Sequence, residues 1–121
     1  MVTETQASWS REAALHSVDG DTELLLELAD IFLQGSQSLL ERIEQAIDAG
    51  DSTGLYQTAH TLKGSIANFF AQDARDSAYA LEMAGRAGRL EGARQVFGRL
   101  AEQLRCFEAD LSDFIAAKGA E

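Results

Sequence analysis

Residues 51–72 read DSTGLYQTAHTLKGSIANFFAQ. Leu55, Ala59, Leu62, Ile66 and Phe69 follow one another in steps of four and three, the spacing that lines up side chains along one stripe of an α-helix. That stripe is expected to face a core. At roughly 100° per residue, His60 lies about 140° from the centre of the stripe, on the solvent side. Gly64 shares that side, with Ala67 and Ala71 beyond it. Between Ser52 and Gln72 there is no Asp or Glu, and the only full charge is Lys63, one turn from His60. An exposed imidazole is therefore expected to stand beside an ammonium on a surface of low relief.

The rest of the chain supplies the support for such a helix. Its 121 residues suit one domain with one core. The absence of proline, a hydrophobic fraction of 45% and an abundance of helix formers point to an all-α fold. A net charge of −10 repels phosphate backbones and anionic lipid, which leaves a protein or a small ligand as the expected partner. The single cysteine, Cys106, cannot form an internal disulfide, and the N-terminus has no basic-then-apolar leader. No apolar run approaches the roughly 20 residues that span a bilayer. The expected location is the cytoplasm.

Residues 1–8 are polar and aperiodic and are expected to form a flexible tail. Ser10 is placed to cap a short helix carrying Ala13, Ala14 and Leu15, docked through Trp9 and Val18. After the Asp19-Gly20-Asp21 turn, Thr22 is the expected N-cap of a helix whose apolar face holds Leu24, Leu25, Leu28, Ile31 and Phe32. Gly35 and Ser36 interrupt the pattern before Leu39, Leu40, Ile43 and Ile47 resume it. Both a break and a continuous helix with Gly35 at a close-packed position fit this stretch. Gly50 ends the run, and Asp51 or Ser52 caps the next helix. A further helix over about 73–86 turns Ala74, Ala78, Leu81 and either Met83 or Ala84 inward, and Gly85 and Gly88 are expected to bracket a turn. Ala93, Phe97, Leu100, Leu104, Phe107, Leu111 and Phe114 then keep a heptad spacing to the end. The expected architecture is an antiparallel four-helix bundle with a short additional N-terminal helix, over residues 9–117, followed by a tail at 118–121.

A neutral imidazole has an exposed lone pair and an unperturbed pKa near 6.5, so it is a nucleophile at neutral pH without a separate base. A phosphoryl group on His60 would add a charge of about −2, for which Lys63 at i+3 is the cation within reach. Gly64 costs a helix roughly 1 kcal/mol relative to alanine, and its missing side chain opens an approach to the ring. A lone exposed histidine is ordinarily just a surface residue. The combination HxxKG on an acid-free face favours function.

The stretch AHTLKGS at 59–65 resembles the signature of the histidine-containing phosphotransfer (HPt) domain of bacterial phosphorelays. Gly20-Asp21-Thr22-Glu23-Leu24-Leu25, Glu27-Leu28 and Phe32 resemble that family's second helix, and Leu81-Glu82 with Arg86 and Gly88 its fifth. The likeness extends from about residue 15 to 114. It implies that Nε2 of His60 accepts a phosphoryl group from a receiver-domain aspartate and returns it to another, that Lys63 stabilises it, and that Gly64 gives the partner access. It also implies a docking face of Gln57, Thr61, Ala67, Asn68 and Ala71 on a monomeric domain. No cofactor is expected; magnesium would belong to the receiver, and either a stand-alone protein or a part of a hybrid sensor kinase fits. Phe70 stands where the family usually has glycine, ten residues after the histidine, which bears on where the helix ends.

Other readings are weaker. A docking domain that had lost the transfer would not need His60, Lys63 and Gly64 together. A histidine-kinase dimerisation domain expects an acidic residue where Thr61 stands, and a proline nearby. His16 has no lysine-glycine companion, and Cys106 reads as a packing residue. The inward Glu-x-x-His pairs of di-iron bundles, Walker A loops, kinase glycine loops and nucleophile elbows are all absent from the sequence.

Overall fold

The computed structural model describes residues 8–119. Five helices follow in order: α1 (Arg11–Ser17), α2 (Thr22–Ala49), α3 (Ser52–Ala67), α4 (Gln72–Ala87) and α5 (Ala93–Gly119). Helices α2 to α5 form the four-helix bundle, in which α2 packs on α3, α3 on α4, α4 on α5 and α5 back on α2. Short α1 lies against α2. Of the expected N-terminal tail, residues 1–7 lie outside the described residues. The Ser8 hydroxyl donates to Asp110 at 2.6 Å, and α5 runs on through Lys118 and Gly119, two of the residues assigned to a C-terminal tail.

Side-chain caps set the starts of α1, α2 and α3. Ser10 Oγ accepts from the Ala13 amide at 3.1 Å, and Asp51 accepts from the Gly54 amide at 2.9 Å. Asp21, not Thr22, caps α2, accepting from the Leu24 amide at 3.0 Å. Thr22 is already helical. Gly50 ends α2 in the left-handed conformation, at φ 67°.

Helix α2 is continuous through the Gly35-Ser36 pair. Gly35 is not at a close-packed position: a Cβ there would meet nothing within 4 Å. Ser36 is the buried member, and its hydroxyl donates to Glu108 of α5. A small polar residue inside the bundle thus replaces a break with an inter-helix bond. Leu24 and Ile31 are also corrected, since they are 40% and 65% exposed while Leu25 and Phe32 are buried. Their inclusion made the expected apolar face too wide. Cys106 is exposed as well, because it lies between the buried positions Leu104 and Phe107 and off the stripe they define.

The central helix is shorter than its pattern. It stops at Ala67, although Phe69, the last residue of the stripe, is 1% exposed. Phe69 reaches the core from the turn, where its ring lies 5.6 Å from both Phe32 and Phe107 and 6.0 Å from Trp9. Its carbonyl accepts from the Ser10 amide at 3.1 Å. With Phe69 held inward and α4 starting at Gln72, the chain must reverse at Phe70, which takes φ 55°. The left-handed conformation, which favours glycine, is therefore taken here by an aromatic residue, at a cost of about 1–2 kcal/mol.

Gly85 corrects the expected turn between α4 and α5. It is buried inside α4, and a Cβ on it would stand 2.6 Å from the Tyr56 amide nitrogen and 2.7 Å from the Ser52 carbonyl oxygen. The turn begins only at Gly88, at φ 68°. Gly85 is what lets the backbones of α3 and α4 touch. Gly85→Ala is expected to lower stability by about 1–3 kcal/mol in urea unfolding, because the obstructing atoms are backbone and the helices must separate. An unchanged midpoint would show that this contact yields freely.

Candidate functional site

The stripe Leu55, Ala59, Leu62 and Ile66 is fully buried, and this fixes the rotation of α3. His60 is turned outward, with its side chain 61% exposed. Lys63, one turn on, is only 18% exposed. Between and beneath them lies Glu82 of α4, whose side chain is 6% exposed. Its Oε2 is 3.0 Å from His60 Nδ1, and its Oε1 is 2.7 Å from Lys63 Nζ. The Tyr56 ring, one turn before His60, stacks beside the imidazole at a centroid distance of 6.2 Å and 25° between planes. Lys63 Nζ lies 5.0 Å from the centroid of the Tyr79 ring.

Helix α3 carries no acid, but the site does. The expected isolated ammonium is an ion pair, because a helical wheel of α3 cannot show what α4 brings against it. Burial works against the charge on Glu82, yet the hydrogen bonds and charge of Lys63 and His60 outweigh it and hold the carboxyl below its ordinary value. An ionised carboxylate only accepts, so the proton of the neutral imidazole sits on Nδ1 and is donated to Glu82. In that neutral form Nε2 is the nitrogen with the lone pair. The arrangement fixes the tautomer and ring orientation of an exposed nucleophile and places a counter-charge against its inner edge.

Around this centre the surface is low. A Cβ on Gly64 would meet nothing within 4 Å, so nothing in the packing requires glycine there. Gln57, Thr61 and Asn68 are exposed and Ala67 is half-buried, on the face that carries His60. Ala71 is not part of it: it is fully buried and occupies the N-cap position of α4. The wheel that placed Ala71 outside runs beyond the point where α3 ends. Next to Ser65 and Asn68, an apolar groove opens between α3 and α2, bordered by Leu28, Gly35 and the exposed Ile31. His16, on α1, is exposed and takes no part in the site. Among the described residues no group of three or more His, Cys, Asp or Glu is arranged to hold a metal. No helix among them is long and apolar enough to cross a membrane.

Glu82, Tyr56 and Tyr79 are the site residues that the sequence reading did not single out. Glu82 had a legible signal. It falls four residues after Ala78 and three before Gly85, on a stripe of small buried residues where a carboxylate needs a partner. The tyrosines had none, since each is half-exposed and ordinary in its helix.

Residues 27–112 match the family model of the Hpt domain. In three dimensions the chain resembles histidine-containing phosphotransfer protein B (HptB) of Pseudomonas aeruginosa PAO1, with a TM-score of 0.85 at 20% identity over 93% of this chain and 98% of that one. It also resembles the HPT domain of the Hpt sensor hybrid histidine kinase from Shewanella, with a TM-score of 0.82 at 17% identity over 92% and 96%. No curated protein matches the sequence significantly. The fold and the family model together define a helical phosphotransfer module of two-component signalling. This chain belongs to the Hpt domain family.

Because folded Glu82 ionises below its ordinary value, stability depends on pH in a definite direction. In acid the unfolded chain binds this proton more readily than the folded one, so stability rises with pH across that interval. The contribution is complete above the ordinary carboxyl value of 4.5 and is lost as the pH falls through the lower value of the folded state. In a series of melts below pH 5, Glu82→Gln is expected to lose less stability with each step of acid than the wild type does. Parallel curves would show that Glu82 is not held as a paired carboxylate.

Proposed function

We propose that His60 is the phospho-acceptor of a phosphorelay. Its Nε2 takes a phosphoryl group from an aspartyl phosphate on a receiver domain and passes it to an aspartate on another. The observation that carries this reading is the His60 Nδ1 to Glu82 contact at 3.0 Å on a ring whose side chain is 61% exposed. Loading forms the Nε2–P bond and breaks the P–O bond to the aspartate, which leaves as a carboxylate. Nδ1 retains its proton, and the positive charge that develops on the ring is opposed by Glu82. The return step reverses each of these changes.

Lys63 serves the phosphoryl oxygens, and Gly64 leaves room for the receiver. A receiver that reaches Nε2 covers the exposed face of α3 from Gln57 through Thr61 to Asn68, and the apolar groove beside Asn68 extends that surface onto α2. The rise of 1.5 Å per helical residue puts Asn68 about 12 Å along the axis from His60, within the span of an ordinary interface. The receiver supplies its own magnesium and the module needs no nucleotide.

Incubation with phosphorylated receivers tests the assignment. Wild type is expected to gain an acid-labile label, and His60→Gln to gain none while its helicity stays the same. Label that persists in the variant and maps to His16 would refute it. Gly64 gives an independent test. Gly64→Ala is expected to stabilise the domain by up to about 1 kcal/mol, because the helix gains propensity and a Cβ meets nothing. Gly64→Gln should hold or raise the melting temperature yet slow transfer from a receiver at least tenfold, since its side chain stands where the incoming aspartate must pass. A Gly64→Gln domain that melts far below wild type would show instead that the glycine serves the fold.

A further inference from the structure

We propose that Tyr79 is a positioning residue for phosphoryl transfer at His60, its ring face keeping the Lys63 ammonium at the site while that ammonium changes anions. The inference rests on the phosphotransfer reading of His60 and adds a residue to it. Lys63 Nζ is 5.0 Å from the centroid of the Tyr79 ring, inside the range of about 6 Å over which a ring quadrupole attracts a cation. Tyr79 and Glu82 are one turn apart on α4, so the ammonium is held by a carboxylate oxygen at 2.7 Å and by an aromatic face. Tyr79 is exposed, at 46%, so core packing does not account for its place. The lysine, by contrast, is 18% exposed, an unusual confinement for a side chain that normally extends into water.

The two contacts respond differently to phosphorylation. Glu82 and a phosphoryl group on Nε2 are both anions, and they compete for the same ammonium. The ring does not compete, because its attraction is to the charge from a second direction and uses none of the oxygen-facing N–H groups. As Lys63 turns from Glu82 Oε1 to the phosphoryl oxygens, the ring is the contact that limits its escape to solvent. Without the ring, the ammonium would have a much larger volume to explore and would spend less time beside the imidazole.

Loading by phosphoramidate tests this without any docking partner. The lone pair of Nε2 forms the N–P bond, the P–N bond of the donor breaks, and ammonia leaves. Tyr79→Leu is expected to load about 2- to 5-fold more slowly, the equivalent of a cation–π contact of about 0.5–1 kcal/mol at an exposed site. Tyr79→Phe keeps the ring and should load at the wild-type rate. In a Lys63→Ala background Tyr79→Leu should cause no further loss. The ε-methylene protons of Lys63 should show the upfield ring-current shift in wild type and Tyr79→Phe and lose it in Tyr79→Leu, a readout that general loosening of α4 would not give. Loading of Tyr79→Leu at the wild-type rate, or the same fractional loss with and without Lys63, overturns the proposal alone. A wild type that phosphoramidate and receivers both fail to label overturns the phosphotransfer reading, and this proposal falls with it.

Discussion

Where Gly85 of α4 lies against the Ser52–Tyr56 turn of α3, two helix backbones meet without a side chain between them. Glu82 is one turn before that contact and His60 one turn after Tyr56, so the approach sets how far the carboxylate stands from the imidazole. A separation wider by a methyl group would take the 3.0 Å contact at Nδ1 out of hydrogen-bond range. It would also leave a buried carboxylate with less to compensate its loss of water. The chemistry of an exposed residue thus depends on a residue that is wholly inside. The same contact is made on the backbone of Tyr56, whose ring lies beside the imidazole.

The ion pair changes what Lys63 can contribute. Two unit charges about 4 Å apart near a protein surface attract by at most about 4 kcal/mol, less in salt. That figure applies to an ammonium arriving from water. Lys63 already has Glu82 at 2.7 Å, so under the proposed phosphotransfer reading its gain on meeting a phosphoryl group would be the difference between two anions. The resting pair keeps the lysine folded back, at hand but satisfied, and keeps Glu82 ionised so that Nδ1 has an acceptor. One carboxylate therefore holds both the tautomer of the nucleophile and the reserve of positive charge.

Much of this was legible in the sequence. The four-and-three stripe of α3 placed Leu55, Ala59, Leu62, Ile66 and Phe69 inside and His60 outside, because burial on one stripe fixes helix rotation. The heptad of α5 likewise placed Leu100, Leu104, Phe107, Leu111 and Phe114 in the core. Periodicity fails where an element ends for reasons outside itself. Phe69 keeps the phase of the stripe from within a turn, so the pattern overran α3 and carried Ala71 with it to the wrong side. It fails again between elements. Gly85 looked like a turn residue until a second backbone was seen against it, and the acid of the site came from α4, invisible to any reading of α3 alone. Ile31 was given to the core by its hydrophobicity, although at 65% exposure it borders the groove instead.

The chain has one tryptophan, and its place has a use in spectroscopy. Trp9 is 9% exposed and its ring is edge-on to Phe114 at 5.3 Å and to Phe69 at 6.0 Å, in the aromatic cluster that ties the start of the described chain to α5 and to the α3–α4 turn. An indole in such surroundings emits at short wavelength and shifts to the red when water reaches it. None of the rings it touches belongs to the His60 site. Intrinsic fluorescence therefore reports the integrity of the bundle at the end where Phe69 is buried, and a change in charge at His60 leaves it a steady reference.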